Sequence, residues 1–301
     1  RAYELGVTDY ISRPFDALIV RRRVENTLML YAKQKRLVGL VADQVYEKER
    51  NNSMMVNILS HIVEFRNGES GLHVLHINTM TEILLQHLVE KTDKYPLTQE
   101  DIIRISTASA LHDIGKISIP DEIINKSGRL TKEEFEIMKT HSAVGASMLS
   151  AITAYQNEPF MKTAYEICRW HHERYDGKGY PDGLKGDEIP ISAQIVSLAD
   201  VYDALTSERC YKKAFSHETA INMIMNGECG AFNPLLLDCL LEVAGDIQRE
   251  LAVNSPEREF QVHETVEQIL KHKKLHGYGY SINQMRIEQA KKEFFFEHER
   301  T

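Results

Sequence analysis

Near the middle of the chain an apolar run, Ala110-Leu111, ends in His112-Asp113 and is followed at once by Ile114-Gly115-Lys116. Imidazole and carboxylate side by side can grip one divalent cation from two directions, and the second carboxylate oxygen is left for another cation. Alone, such a pair is common on protein surfaces. Here it has company, because Glu69, His73, His141, His171, His172 and Asp200 are all potential ligands. None of them is cysteine, which argues against a structural zinc site. Mixed imidazole and carboxylate suits iron or manganese, with zinc, nickel or cobalt as alternatives. The donors exceed what one ion needs. Two ions about 3.5–4 Å apart that share a carboxylate can hold a hydroxide for in-line attack on phosphorus.

The elements that must carry these residues read as helices. Val74, Ile77, Met80, Ile83, Leu84 and Leu88 recur at helical spacing and predict a helix from about Leu72 to Lys91. Glu69 and His73, four apart, share one face of it if helical geometry starts early enough. Thr98 is the expected N-cap of a helix climbing through Ile102, Ile105 and Ala108 to His112-Asp113. Thr131 and Glu134 form a capping box for the next helix. Phe135, Met138, His141 and Gly145 lie on one side of that helix, so His141 is expected on its buried stripe. Phe160 to Glu173 is again helical and delivers His171-His172. Gly177, Gly179, Pro181 and Gly183 then forbid helix or strand and predict a shaped loop. Ile191 to Leu205 is an apolar helix in which Asp200 and Asp203, three apart, fall nearly on one face. A charge among Ile195, Val196, Leu198 and Leu205 is costly unless paired or metal-bound. Two amphipathic helices follow, over 216–225 and 233–243. Beyond about 244 the pattern weakens, until Ser281 opens a last helix ending in Phe294-Phe295-Phe296.

Upstream, no proline occurs between Pro14 and Pro96, and Gly39 is the only glycine between Asp16 and Arg66. Val24, Tyr31, Val38 and Val45 recur every seven residues. This predicts one or two long helices with an apolar seam, either pairing with a twin in a homodimer or packing on their own domain. The whole chain has 301 residues, 43% hydrophobic content and a net charge of −8. That is enough apolar material for a full core, and the charge disfavours a nucleic-acid polymer as partner. The four cysteines show no CxxC spacing, no signal peptide is expected, and no apolar stretch reaches the ~20 residues of a membrane span. The expected setting is reducing and cytoplasmic, without membrane insertion.

Taken together, several motifs resemble the HD-GYP domain, the phosphodiesterase branch of the HD superfamily. They are Glu69-x-x-x-His73, His112-Asp113-x-Gly115-Lys116, Lys139-x-His141, His171-His172-Glu173-Arg174-x-Asp176-Gly177-x-Gly179-Tyr180-Pro181, and Asp200-x-x-Asp203-Ala204-Leu205-Thr206-x-x-Arg209-x-Tyr211-Lys212. His76 stands where the family usually has Arg. The resemblance covers 53–245 and implies an all-α helical bundle; the residue pattern outside it predicts a long linker helix over 31–60 and a helical extension over 246–301. Residues 1–30 resemble the last strand and helix of a response-regulator receiver domain, a short α/β remnant, with Arg13 where that family has Lys.

The activity the resemblance implies is metal-dependent hydrolysis of cyclic di-GMP to pGpG or GMP, in a bacterial cytoplasm and under receiver control. By position, His73, His112, Asp113 and Asp200 would hold one metal. Asp113, His141, His171 and His172 would hold a second, and Glu69 would add a third. Lys116 would neutralise phosphate charge, and Asp203, Arg209 and Lys212 would contact substrate. The loop of Asp176, Gly177, Gly179, Tyr180 and Pro181 would lie beside the site and receive ligand or GGDEF-type partner domains. Two other readings stay open: a cyclic di-GMP sensor without turnover, and a general HD nucleotide phosphohydrolase.

Overall fold

The structure is a computed structural model that describes Pro14, residues 16–66, 72–207 and 214–253. The receiver-like stretch up to Arg13, Glu69, Arg209, Lys212 and the extension beyond Val253 therefore lie outside the described residues. Among the described residues every regular element is a helix, as the periodicity requires.

The first helix, α1 (Ala17–Phe65), is one unbroken element of 49 residues. It holds one glycine, Gly39, where an added Cβ would meet nothing within 4 Å. From Leu18 to Val45 its large apolar side chains, half-buried Val20 aside, are exposed. Its last turns dock on the body: Ser60 and Val63 are buried, Ser53 Oγ lies 3.3 Å from Thr107 Oγ1, and Asn78 donates to Asn57 at 2.9 Å.

Helix α2 (Leu72–Lys91) is the central post. Ile77, Met80, Leu84, Leu85 and Leu88 are wholly buried between α3 (Gln99–Ser109), α7 (Ile191–Thr206) and α9 (Pro234–Val253). Each such side chain contributes about 1.5–3 kcal/mol relative to exposure. Thr98 caps α3 in a reciprocal box with Asp101. After α3 the chain turns through His112-Asp113 into a 3-10 turn, Ile114–Ser118, and the single-turn α4 (Asp121–Ile124). Helix α5 (Lys132–Ser150) opens on the Thr131–Glu134 capping box and packs on that 3-10 turn and on α6 (Pro159–Trp170). Helix α8 (His217–Met225), capped by Ser216, leads to α9.

Two boundaries and one inward face differ from expectation. Helix α6 stops at Trp170, so His171 is its C-cap and His172 lies beyond it. Helix α9 runs on to Val253, carried by Ile247, which is fully buried. On α5, Phe135 is 47% exposed, because only the second half of the helix, from His141 to Leu149, meets the body. None of the described helices is long and apolar enough to cross a membrane.

Candidate metal centre

Four elements converge on Asp113. The turn that carries it must lie against α5 closely enough for His141 to reach it, and two glycines allow this. A Cβ on Gly115 would sit 1.9 Å from the His141 carbonyl oxygen, and one on Gly145 would sit 2.9 Å from the Gly115 nitrogen. The two backbones therefore touch where any side chain would separate them.

The imidazoles are oriented by their own helices. His112 Nδ1 donates to the Ser109 carbonyl at 2.9 Å, His141 Nδ1 to Met138 at 2.7 Å, and His171 Nδ1 to Ile167 at 3.0 Å. A carbonyl only accepts, so each Nδ1 carries the proton and each Nε2 presents a lone pair inward. His141 Nε2 faces Asp113 Oδ1 at 3.1 Å and His171 Nε2 at 3.4 Å, while His171 Nε2 lies 3.8 Å from the same oxygen. On the other side, His112 Nε2 is 3.2 Å from Asp113 Oδ2. Lone pairs converging this closely in a buried place repel unless a positive charge sits among them. A second proton on His171 or His172 is opposed by burial, which pushes both well below the usual histidine range, with the neighbouring imidazoles adding to it. A divalent cation fits better.

The donors form two groups, each with ligand atoms within 4.8 Å of one another: Asp113, His141, His171 and His172, and His73, His112 and Asp200. Asp113 turns one oxygen toward each. Burial alone would raise its pKa, but the Lys116 ammonium and the histidines hold it well below the usual carboxylate range. Lys116 Nζ is 2.6 Å from Asp113 Oδ2.

Residues 71–231 match the family described as HD domain. The chain belongs to the HD domain family. Curated relatives of this HD domain include a protein of Vibrio cholerae serotype O1 named as a probable cyclic di-GMP phosphodiesterase, 37% identical over 79% of this chain and 56% of the relative. The cyclic di-GMP phosphodiesterase response regulator of Xanthomonas campestris pv. campestris is 33% identical over 82% of this chain and 65% of its own length. A 3'3'-cGAMP-specific phosphodiesterase of Vibrio cholerae is 38% identical over 65% of this chain and 35% of its own. The HD domain chain thus spans between 35% and 65% of the length of these three relatives.

Around the HD turn the loop after α6 is tied down at both ends. Glu173 Oε1 accepts from the Asp182 and Gly183 amides at 2.7 and 2.9 Å, and Asp176 pairs with Arg174 at 2.8 Å. A Cβ on Gly179 would meet the Arg174 nitrogen at 2.4 Å, so only glycine lets the loop fold back on its own root. This lays the Tyr180 ring over His172, centroids 4.8 Å apart, with Pro181 next to it. Gly177 has φ +79°, open to glycine.

Asp203 departs from expectation. Its side chain is 1% exposed, with Oδ2 at 2.6 Å from His73 Nδ1 and Oδ1 at 2.6 Å from His76 Nδ1. It faces into the protein, and both oxygens are engaged there rather than offered to a substrate. Burial would raise its pKa; the bonds from His73 and His76 outweigh that and hold it low. In His73, burial lowers and the bond to Asp203 raises, and the net direction is up. Two participants were not singled out as site residues from sequence. His76 could have been found from its place one turn after His73, whereas nothing near Arg66 in the chain signals its bonds to the carbonyls around Lys116.

Proposed function

We propose that this HD domain is a metal-dependent phosphodiesterase that hydrolyses cyclic di-GMP. The observation that carries the reading is Asp113, buried between two ligand groups with one oxygen directed at each. Two bound cations, iron or manganese from the donor set, would supply a nucleophile at neutral pH and draw charge from phosphorus. His73, His112 and Asp200 would hold one, and His141, His171 and His172 the other.

The chain's own part is positioning and charge. Lys116, which lies against Asp113, would donate to a phosphate oxygen as charge builds there. The ring of Tyr180 packs over His172 on that side of the centre. Arg209 and Lys212, outside the described residues, are proposed as further substrate contacts, and Glu69 as ligand to a third ion. Regulation by a receiver domain and pairing of two copies through α1 belong to the same reading.

The test is turnover of cyclic di-GMP by manganese- and iron-loaded protein, with product identified as pGpG or GMP and with Asp113→Ala as control. Loss of both activity and bound metal in Asp113→Ala is expected. Tight cyclic di-GMP binding with no turnover by the loaded parent would favour a sensor. The relative named for 3'3'-cGAMP supplies a second substrate reading, decided by comparing kcat/KM for the two cyclic dinucleotides.

A further inference from the structure

The histidines of the centre are held in two different ways. His112, His141 and His171 each donate Nδ1 to a carbonyl three or four residues earlier. His73 is the second residue of α2. Its Nδ1 instead reaches across to α7, to Asp203 Oδ2 at 2.6 Å. The carboxylate is in turn held from its other oxygen by His76 Nδ1 at 2.6 Å and by the Ser207 hydroxyl at 2.8 Å.

We propose that Asp203 is a positioning residue that fixes His73 in the tautomer and orientation presenting Nε2 to a cation, and that His76 is the anchor that keeps Asp203 there. The inference rests on the metal reading above and deepens it. A carboxylate accepts and never donates, so both imidazoles must place their protons on Nδ1. That leaves the His73 Nε2 lone pair on the side of Asp200, whose Oδ1 is 3.9 Å away. A ligating histidine whose other nitrogen bonds a carboxylate is fixed in ring angle and made more basic, and loss of such a partner weakens metal binding about 10–100-fold. His76 matters because without it the Oδ1 side of this buried carboxylate would be held by the Ser207 hydroxyl alone. It lies one turn after His73 on α2, so one helix face presents both donors to the same acceptor.

The experiment measures Mn2+ stoichiometry and dissociation constants by chelator competition, on the full chain, for the parent and three variants. In Asp203→Asn the amide can donate to His73 Nδ1 and drive the proton to Nε2, so the ion at His73, His112 and Asp200 should weaken about 10–100-fold while the other is retained. His76→Leu should weaken the same ion by less. His76→Asn, whose amide nitrogen reproduces the Nδ1 donor, should restore parental affinity. That recovery is the readout that simple packing would not give, since leucine fills the space and asparagine does not. Should Asp203→Asn fail to fold, the His76 pair alone decides. A parent with two ions and parental affinities in Asp203→Asn overturns the positioning role, as does equal affinity in His76→Leu and His76→Asn. A parent that binds no Mn2+ overturns the metal reading itself, and the role of Asp203 with it.

Discussion

At the scale of single residues, the smallest side chains carry sharp consequences. Gly115 and Gly145 bring the HD turn and α5 into backbone contact, and a Cβ at Gly115 would fall 1.9 Å from the His141 carbonyl oxygen. Overpacking of this kind costs about 1–3 kcal/mol or more, because backbone rather than a flexible side chain must give way. Gly115→Ala is therefore expected to lower the urea midpoint and to release the ion that His141 helps to hold. Parental metal content in a folded Gly115→Ala protein would show that the contact is not what sets His141. Cys168 packs in the same crossing. Burial, and then the charge of Asp113, pushes its thiol up to about 12. In the unfolded chain a thiol titrates near ~8.5. Between those values the unfolded state has lost the proton and the folded state keeps it, so stability falls as pH rises, by at most ~1.4 kcal/mol per pH unit. Cys168→Ala should remove this slope. Urea midpoints of metal-free parent and variant should converge from pH 8 to pH 10, by the equivalent of about 1–2 kcal/mol, and parallel curves would contradict the assignment. Residue types were the most legible part of the centre: His112, Asp113, His141, His171, His172 and Asp200 could be picked out as donors unaided. Their partners could not, since the Asp203–His73 bond spans 130 positions and only the packing of α2 on α7 creates it.

At the scale of elements, caps and periods were readable and ends set by tertiary contact were not. Thr98 and Thr131 announce α3 and α5 because each side chain satisfies an orphan amide of its own first turn. Phe135 was expected inward and is exposed, because periodicity gives the inward side of a helix and not how much of its length meets the body. The junction of α1 with the HD turn was illegible for a related reason. Arg66, just past the end of α1, donates to the carbonyls of Ile117 at 2.6 Å and Ile119 at 2.9 Å and to Asp121 at 2.8 Å. Its planar fork serves several acceptors at once, which lysine cannot do. Arg66→Ala should loosen the segment from Ile114 to Ile123, at a cost of about 1–3 kcal/mol for carbonyls left without their charged donor. Hydrogen exchange of peptides covering that segment should speed up in Arg66→Ala and recover only partly in Arg66→Lys. Unchanged protection would mean that α1 and the turn are joined by apolar packing alone.

At the scale of the whole molecule, the asymmetry is between a buried-core body and a bare helix. Leu28, Tyr31, Val38 and Val45 follow one another along α1 and are all exposed. A row of that length on a monomer is a liability, and a second copy is the simplest cover. Leu28→Glu combined with Val38→Glu should halve the mass seen by light scattering while leaving metal content intact. A parent already monomeric at micromolar concentration would refute the pairing.

The unbroken run of α1 from Ala17 to Phe65 also turns residue count into angle. Each residue inserted before Ser53 rotates everything upstream by about 100° and shifts it about 1.5 Å, so two added residues nearly reverse its heading and seven almost restore it. A torque delivered at the far end would reach Arg66 with a phase fixed by spacing alone. Catalytic output plotted against insertion length between Gly39 and Val45 should then oscillate with a period of about 3.6 residues, and a plain monotonic decline would show that the shaft transmits no twist.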